Sequence, residues 1–130
     1  MKQLTKAEEP IMQVLWKLKK AFLKDIVEEM PEPKPAYPTV STVIRVLVNK
    51  GFVDYKTYGK ANEYYPVVSK QDYFKTQFKG MVNNFFGSSW KGFASFFAKD
   101  AELSLQDLEA IRAEIEKEIE EKKKSDGDAD

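Results

Sequence analysis

The chain has 130 residues, 42% hydrophobic and 32% charged, enough for one compact core or for a small domain with an appendage. It contains no cysteine and no histidine, which excludes disulfides, thiolate chemistry and the commonest general base and metal ligand. Net charge is zero, yet residues 1–80 hold 14 Lys+Arg against 9 Asp+Glu and residues 81–130 hold 7 against 12, a basic half before an acidic one.

"LTKAEEPIMQVLWKLKK" predicts a first helix, with Ile11, Val14, Leu15 and Leu18 on one face. Two starts fit: a capping box at Thr5-x-x-Glu8, or Glu9 at the cap with Pro10 in the first helical position. "FLKDIVEEM" predicts a second, shorter helix with Leu23, Ile26, Val27 and Met30 inward. The run "PEPKPAYP" stops it and forms a stiff connector.

A third helix is expected from about Pro38, striped by Val40, Val43, Ile44, Leu47 and Val48. Its valines and threonines are poor helix formers, so a strand competes, but the apolar spacing favours helix and Gly51 suits its end. On a helix, Ser41, Thr42, Arg45 and Asn49 fall opposite the stripe, with Thr39 beside them. "FVDYKTY" and "ANEYYPVV" around Gly59-Lys60 then predict a β-hairpin. Three helices followed by a hairpin match a winged helix-turn-helix. The expected fold is mainly α with a small β-hairpin wing (α+β), carried by residues 1–70.

Residues 71–124 are expected to form a helical dimerisation arm. Ser69-x-x-Asp72 can cap a helix to about Phe86, with Phe74, Phe78, Met81, Val82 and Phe85 on one side. "WKGFASFFAK" resumes with Trp90, Phe93 and Phe97 at helical spacing. Ser104-x-x-Asp107 caps a last helix striped by Leu108, Ile111, Ile115 and Ile119. Residues 125–130, "SDGDAD", read as a disordered acidic tail. Seven of the nine phenylalanines fall between Phe74 and Phe97, more aromatic surface than a few short helices cover alone. A second copy of the segment would cover it; packing back onto the first domain is the alternative, and a membrane-surface helix a lesser one.

Arg45 is one of only two arginines beside nineteen lysines. In a helix-turn-helix the later helix enters the major groove with its first turns at the base edges. Arginine's planar fork fits guanine O6 and N7, which a lysine point charge cannot match. Thr39, Ser41, Thr42, Arg45 and Asn49 are therefore the candidate reading residues. Lys56 and Lys60 flank the hairpin tip and are candidate phosphate contacts. The plainer reading leaves Arg45 as an exposed cation paired with a glutamate. Between Pro33 and Asn62, Lys34, Arg45, Lys50, Lys56 and Lys60 face only Asp54, which tilts the balance toward a polyanion.

No catalytic constellation is present. Glu8 and Glu9 sit at a helix start, where the macrodipole alone favours them. The glutamates of the last helix lie among Arg112, Lys117 and Lys122, as on a solvated face, and Ser88, Ser89 and Ser95 have no histidine to activate them. No enzyme activity, metal or cofactor is expected. No apolar run approaches the length of a membrane span, and "MKQLTKAEEP" has no signal-peptide core.

The ordered set Ala7-Glu8, Met12, Trp16, Asp25-Ile26, Thr39-Val40-x-Thr42, Lys50-Gly51-Phe52 and Tyr65-Pro66-Val67, with "LSLQDLEAIR" near the end, resembles the penicillinase-repressor (BlaI/MecI-type) family of bacterial regulators. That resemblance covers the chain to about residue 124. It implies a cytoplasmic homodimer that binds a palindromic operator and represses transcription, with Thr39 and Thr42 on the DNA-contacting helix. It also implies, for the antibiotic-resistance branch, a membrane metalloprotease sensor that triggers cleavage in the arm. Two departures stand out: that branch has an arginine where this chain has Val46, and its Asn-Phe cleavage bond is replaced near Phe96-Phe97 by Ser95-Phe96. The absence of cysteine argues against the copper-sensing branch. The competing function is a winged helix used as a protein-interaction module with no specific DNA target.

Overall fold

A computed structural model describes residues 1–128. The chain divides into two compact units, Met1–Gly80 and Met81–Asp130. In order the elements are α1 (Glu8–Leu18), β1 (Ala21–Phe22), α2 (Leu23–Glu29), α3 (Tyr37–Asn49), β2 (Val53–Tyr58), β3 (Ala61–Pro66), α4 (Lys70–Phe86), α5 (Trp90–Asp100) and α6 (Leu105–Asp128).

Thr5 starts the first helix. Its hydroxyl accepts the Glu8 N–H at 3.2 Å while the Glu8 carboxylate accepts the Thr5 N–H at 2.9 Å, the reciprocal capping box. Pro10 lies five residues past that cap, so the helix gives up one backbone bond there, the one an N–H at this position would make to the Lys6 carbonyl. Ile11, Val14 and Leu15 are buried as expected, and Met12 is fully buried beside them. The Phe22 N–H donates to the Asp25 carboxylate at 3.2 Å and opens α2, whose Ile26 and Val27 turn inward.

The helix expected from Pro38 is α3. Val40, Ile44 and Leu47 bury one face of it against α1 and α2. Gly51 ends it at φ +83°. Its N–H donates to the Val48 carbonyl at 3.1 Å, and the Phe52 N–H reaches back to Leu47 at 3.0 Å, the paired bonds of a Schellman stop. Packing has overridden the weak helix propensity of valine and threonine.

The hairpin is present, with a two-residue turn set by the Tyr58↔Ala61 pairing. It belongs to a three-stranded antiparallel sheet of order β1-β3-β2, because Ala21 and Phe22 pair with Tyr64 and Glu63. That extra strand is absent from the sequence reading: two residues are too few to display an alternating pattern. The three helices and three strands make a winged helix around one core.

The unit boundary falls ten residues beyond the expected 70/71 division. Ser69 caps α4 by accepting the Asp72 N–H at 3.0 Å, and Tyr73 in the first turn packs on the core of the first unit. In the second unit, Ser89 caps α5 by accepting from Gly92 at 2.9 Å, and Ser104 caps α6 by accepting from Asp107 at 3.0 Å. The acidic tail expected from residue 125 is helical through Asp128, and residues 129–130 lie outside the described residues. Glutamate and lysine just ahead of it are good helix formers, and extending an existing helix is far easier than starting one.

Candidate nucleic-acid interface

With its inner face committed to the core, α3 turns its other edge to solvent. Thr39, Thr42, Arg45 and Asn49 are exposed and Ser41 is half-buried. Among the described residues the Arg45 guanidinium makes no ion pair and no hydrogen bond, so the glutamate partner of the plainer reading is absent. The Thr42 hydroxyl donates to the Pro38 carbonyl one turn back at 2.9 Å. Its proton is spent within the helix, which leaves the oxygen as an acceptor and the side chain without a free donor. Val46, beside Arg45, is also exposed.

At the wing, Gly59 takes φ +62° in the turn and the Thr57 hydroxyl donates to the Asn62 side-chain oxygen at 2.8 Å across the strands. Lys60 is exposed at the tip. Lys56 is exposed too, but its ammonium sits 5.4 Å from the centre of the Tyr58 ring and its cross-strand neighbour is Glu63. It therefore comes with a cation–π partner and a facing carboxylate, whereas Lys60 has neither among the described residues.

Two of the five cations expected to face a polyanion have other work. The Lys34 ammonium donates to the Glu28 and Met30 carbonyls at the end of α2. Lys50 lies just past α3 and grips both carboxylate oxygens of Glu8, at 3.0 and 2.8 Å. Glu8 is only 3% exposed, so it is a buried ion-pair partner rather than the solvated helix-start charge that the macrodipole argument describes. Burial raises its pKa, but the Lys50 hydrogen bond, the Thr5 N–H, the Lys50 charge and the Thr5 hydroxyl outweigh it and hold the carboxyl below its ordinary value. The pair joins residues 42 apart in sequence, and no local pattern announces it. Arg45, Lys56 and Lys60 remain.

The arm residues separate into three groups. Phe74, Met81, Phe85, Trp90 and Ile115 are exposed, with Phe85 at 79%. Phe78, Phe93, Phe97, Leu108 and Ile111 are half-buried. Val82 is 1% exposed and so leaves any surface offered to a partner, because its contacts are already within the chain. Phe93 packs edge-on to Phe86 at 5.7 Å and lies 5.7 Å from Phe97. No cluster of three or more metal-ligating side chains occurs among the described residues, nor any helix long and apolar enough to cross a membrane.

A winged helix with an exposed arginine and hydroxyls along its third helix is the build of a DNA-binding regulator. The model of the family described as penicillinase repressor matches residues 4–117, and the chain belongs to that family of transcriptional repressors, which are not enzymes. It is 29% identical over 111 residues to the methicillin resistance regulatory protein MecI of Staphylococcus aureus (strain N315), spanning 85% of this chain and 90% of that one. It is 22% identical over 110 residues to the penicillinase repressor of Bacillus licheniformis, spanning 84% and 86%. The solution structure of the DNA-binding domain of the repressor BlaI aligns with 55% of this chain and 88% of that one, at 25% identity and a TM-score of 0.49.

Proposed function

We propose that the protein is a cytoplasmic homodimer that represses transcription by seating two copies of α3 in neighbouring major grooves of a palindromic operator. The observation that carries the reading is the outer edge of α3, where Thr39, Thr42, Arg45 and Asn49 are exposed together and Arg45 is left without a partner among the described residues. Arg45 reads a guanine through its fork, and the methyl of the exposed Thr42 suits a thymine methyl. Ser41 and Asn49 border this edge. Lys60, and Lys56 where Tyr58 allows it, hold phosphate at the wing.

The dimer half of the proposal is supported by the stripe Phe74, Phe78, Met81 and Phe85, at i, i+4, i+7 and i+11 along α4, with Phe74 and Phe85 well exposed. Trp90, Phe93 and Phe97 on α5 and Leu108, Ile111 and Ile115 on α6 extend the apolar surface that a second copy would cover. In this reading a membrane metalloprotease sensor releases the operator by cutting the arm. Ser95-Phe96 lies inside α5, and the chain's own Asn84-Phe85 bond lies inside α4, so either cut has to follow local unwinding of a helix.

Mobility shift with DNA upstream of the protein's own reading frame tests the whole. Arg45→Ala should cost about 1–3 kcal/mol, roughly 5- to 150-fold, on the cognate duplex and little on a scrambled one. Lys60→Ala, as the contrast, should weaken both alike and lower the salt dependence. Equal losses on both duplexes for Arg45→Ala would remove it from the role of reader.

A further inference from the structure

Every aliphatic side chain of α3 but one serves the core. Val40, Ile44 and Leu47 are buried, and Val43 and Val48 pack against the same buried cluster. Val46 is the exception and is exposed. Folding does not account for a valine there. A β-branched residue weakens a helix relative to alanine, and an exposed one recovers little of that loss by burial. Neither helix propensity nor packing selects valine at position 46.

Its neighbours define what it can meet. Residues three and four apart lie side by side on a helix, so Val46 sits between the exposed Thr42 and Asn49, with Arg45 adjoining in sequence. The Thr42 hydroxyl already donates to the Pro38 carbonyl, and the Val46 side chain has neither donor nor acceptor. The Thr42–Val46 pair thus has no donor to offer a base. In the major groove the apolar group on a base edge is the thymine C5-methyl, and the other distinguishing groups are donors and acceptors. A valine laid over one of those strips its water without supplying a partner, whereas against a methyl both surfaces gain. We infer that Val46 is a specificity-determining residue, which reads one thymine of the operator through its C5-methyl beside the guanine read by Arg45. The inference rests on the operator reading above, but it needs only the reading domain, because every residue in it lies within Met1–Gly80.

The test uses the full-length chain and an operator footprinted with the wild type. In one half-site each thymine is replaced in turn by deoxyuridine, which pairs identically but lacks the methyl. The wild type should lose roughly fourfold at one of these positions, the worth of one buried methyl. Val46→Ala should bind the unmodified operator several-fold more weakly and lose nothing further at that position, while keeping its response at the other thymines. Alanine is the better helix former and the site is exposed, so the variant folds. If Val46→Ala retains the wild-type loss at every thymine, or the wild type responds at none, Val46 reads no methyl and the inference falls. A wild type that binds operator and scrambled duplexes equally would overturn the operator reading itself, and the inference with it.

Discussion

The two units use their apolar residues differently. In Met1–Gly80, fourteen apolar side chains from Leu4 to Val53 form one buried cluster. In Met81–Asp130, Val82 alone is buried among the described residues, although the unit holds Phe85, Phe86, Trp90, Phe93, Phe96 and Phe97. Its rings touch one another and stay wet. Since stabilisation comes from apolar area removed from water, the first unit is complete as it stands and the second has most of its gain still to make. The same amino-acid types thus serve a core in one region and a surface awaiting cover in the other.

The largest test of that contrast is to spoil the uncovered stripe. Met81→Asp with Phe85→Asp places two carboxylates on one side of α4 where both native side chains are exposed. Two central anchors are worth at least about 2 kcal/mol each, so the dimer dissociation constant should rise by roughly a thousandfold in sedimentation equilibrium. Unfolding of the first unit should stay within about 0.5 kcal/mol of the wild type, because the changes are remote from its core. A double variant that remains dimeric at micromolar concentration would mean that the contrast in burial has nothing to do with assembly.

The next test strikes the self-sufficient unit. Glu8→Gln leaves Lys50 facing a neutral amide and should cost about 2–3 kcal/mol, below the roughly 3–5 expected for a wholly buried pair because the Lys50 side chain is a quarter exposed. The sign with pH follows from the lowered carboxyl. A carboxylate held below its unfolded value stabilises at neutral pH, and that contribution is lost as pH falls below about 4.3 and through the folded value. Denaturant unfolding should therefore show wild type and Glu8→Gln converging in acid and diverging toward neutrality. Parallel curves from pH 7 down to acid would show that the ionisation of Glu8 contributes nothing to stability.

These outcomes bear on what could be read in advance. Features set by a few consecutive residues were legible: the caps at Thr5, Ser69 and Ser104, the stop at Gly51 and the turn at Gly59 each state their geometry in the local sequence. The polar edge of α3 was legible as well, since a period of 3.6 fixes both faces once the apolar one is known. What escaped was set by distance or by competition. The Glu8–Lys50 pair and the carbonyl bonds of Lys34 take cations out of a count of local charge that treats every lysine as free. Along α4, helical spacing placed Val82 and Phe85 on one stripe but could not tell which would be enclosed by the chain itself; Val82 was and Phe85 was not. The strand β1 shows only where β3 passes beside it.

The smallest effect sharpens the comparison from the backbone side. Lys19 closes α1 at φ 71° and ψ −37°, outside the left-handed basin as well as the right-handed one, with its N–H bonded to the Leu15 carbonyl at 2.7 Å. Such a conformation costs a non-glycine residue about 1–3 kcal/mol and persists only where the surroundings enforce it. Leu15, fully buried, and the β1 pairing that begins at Ala21 supply that enforcement in the first unit. Glycine adopts the same backbone without strain and gives back about 0.5–1 kcal/mol through its freer unfolded chain, so Lys19→Gly should raise unfolding stability by about 1 kcal/mol. Glu102, between α5 and α6, also has a positive φ, 55°, but it lies in the unit where Val82 alone is buried among the described residues, so less packing enforces strain there and Glu102→Gly should gain less. If thermal unfolding shows the two substitutions stabilising equally, the first unit does not grip its backbone more tightly than the second, and the contrast in burial carries no corresponding contrast in rigidity.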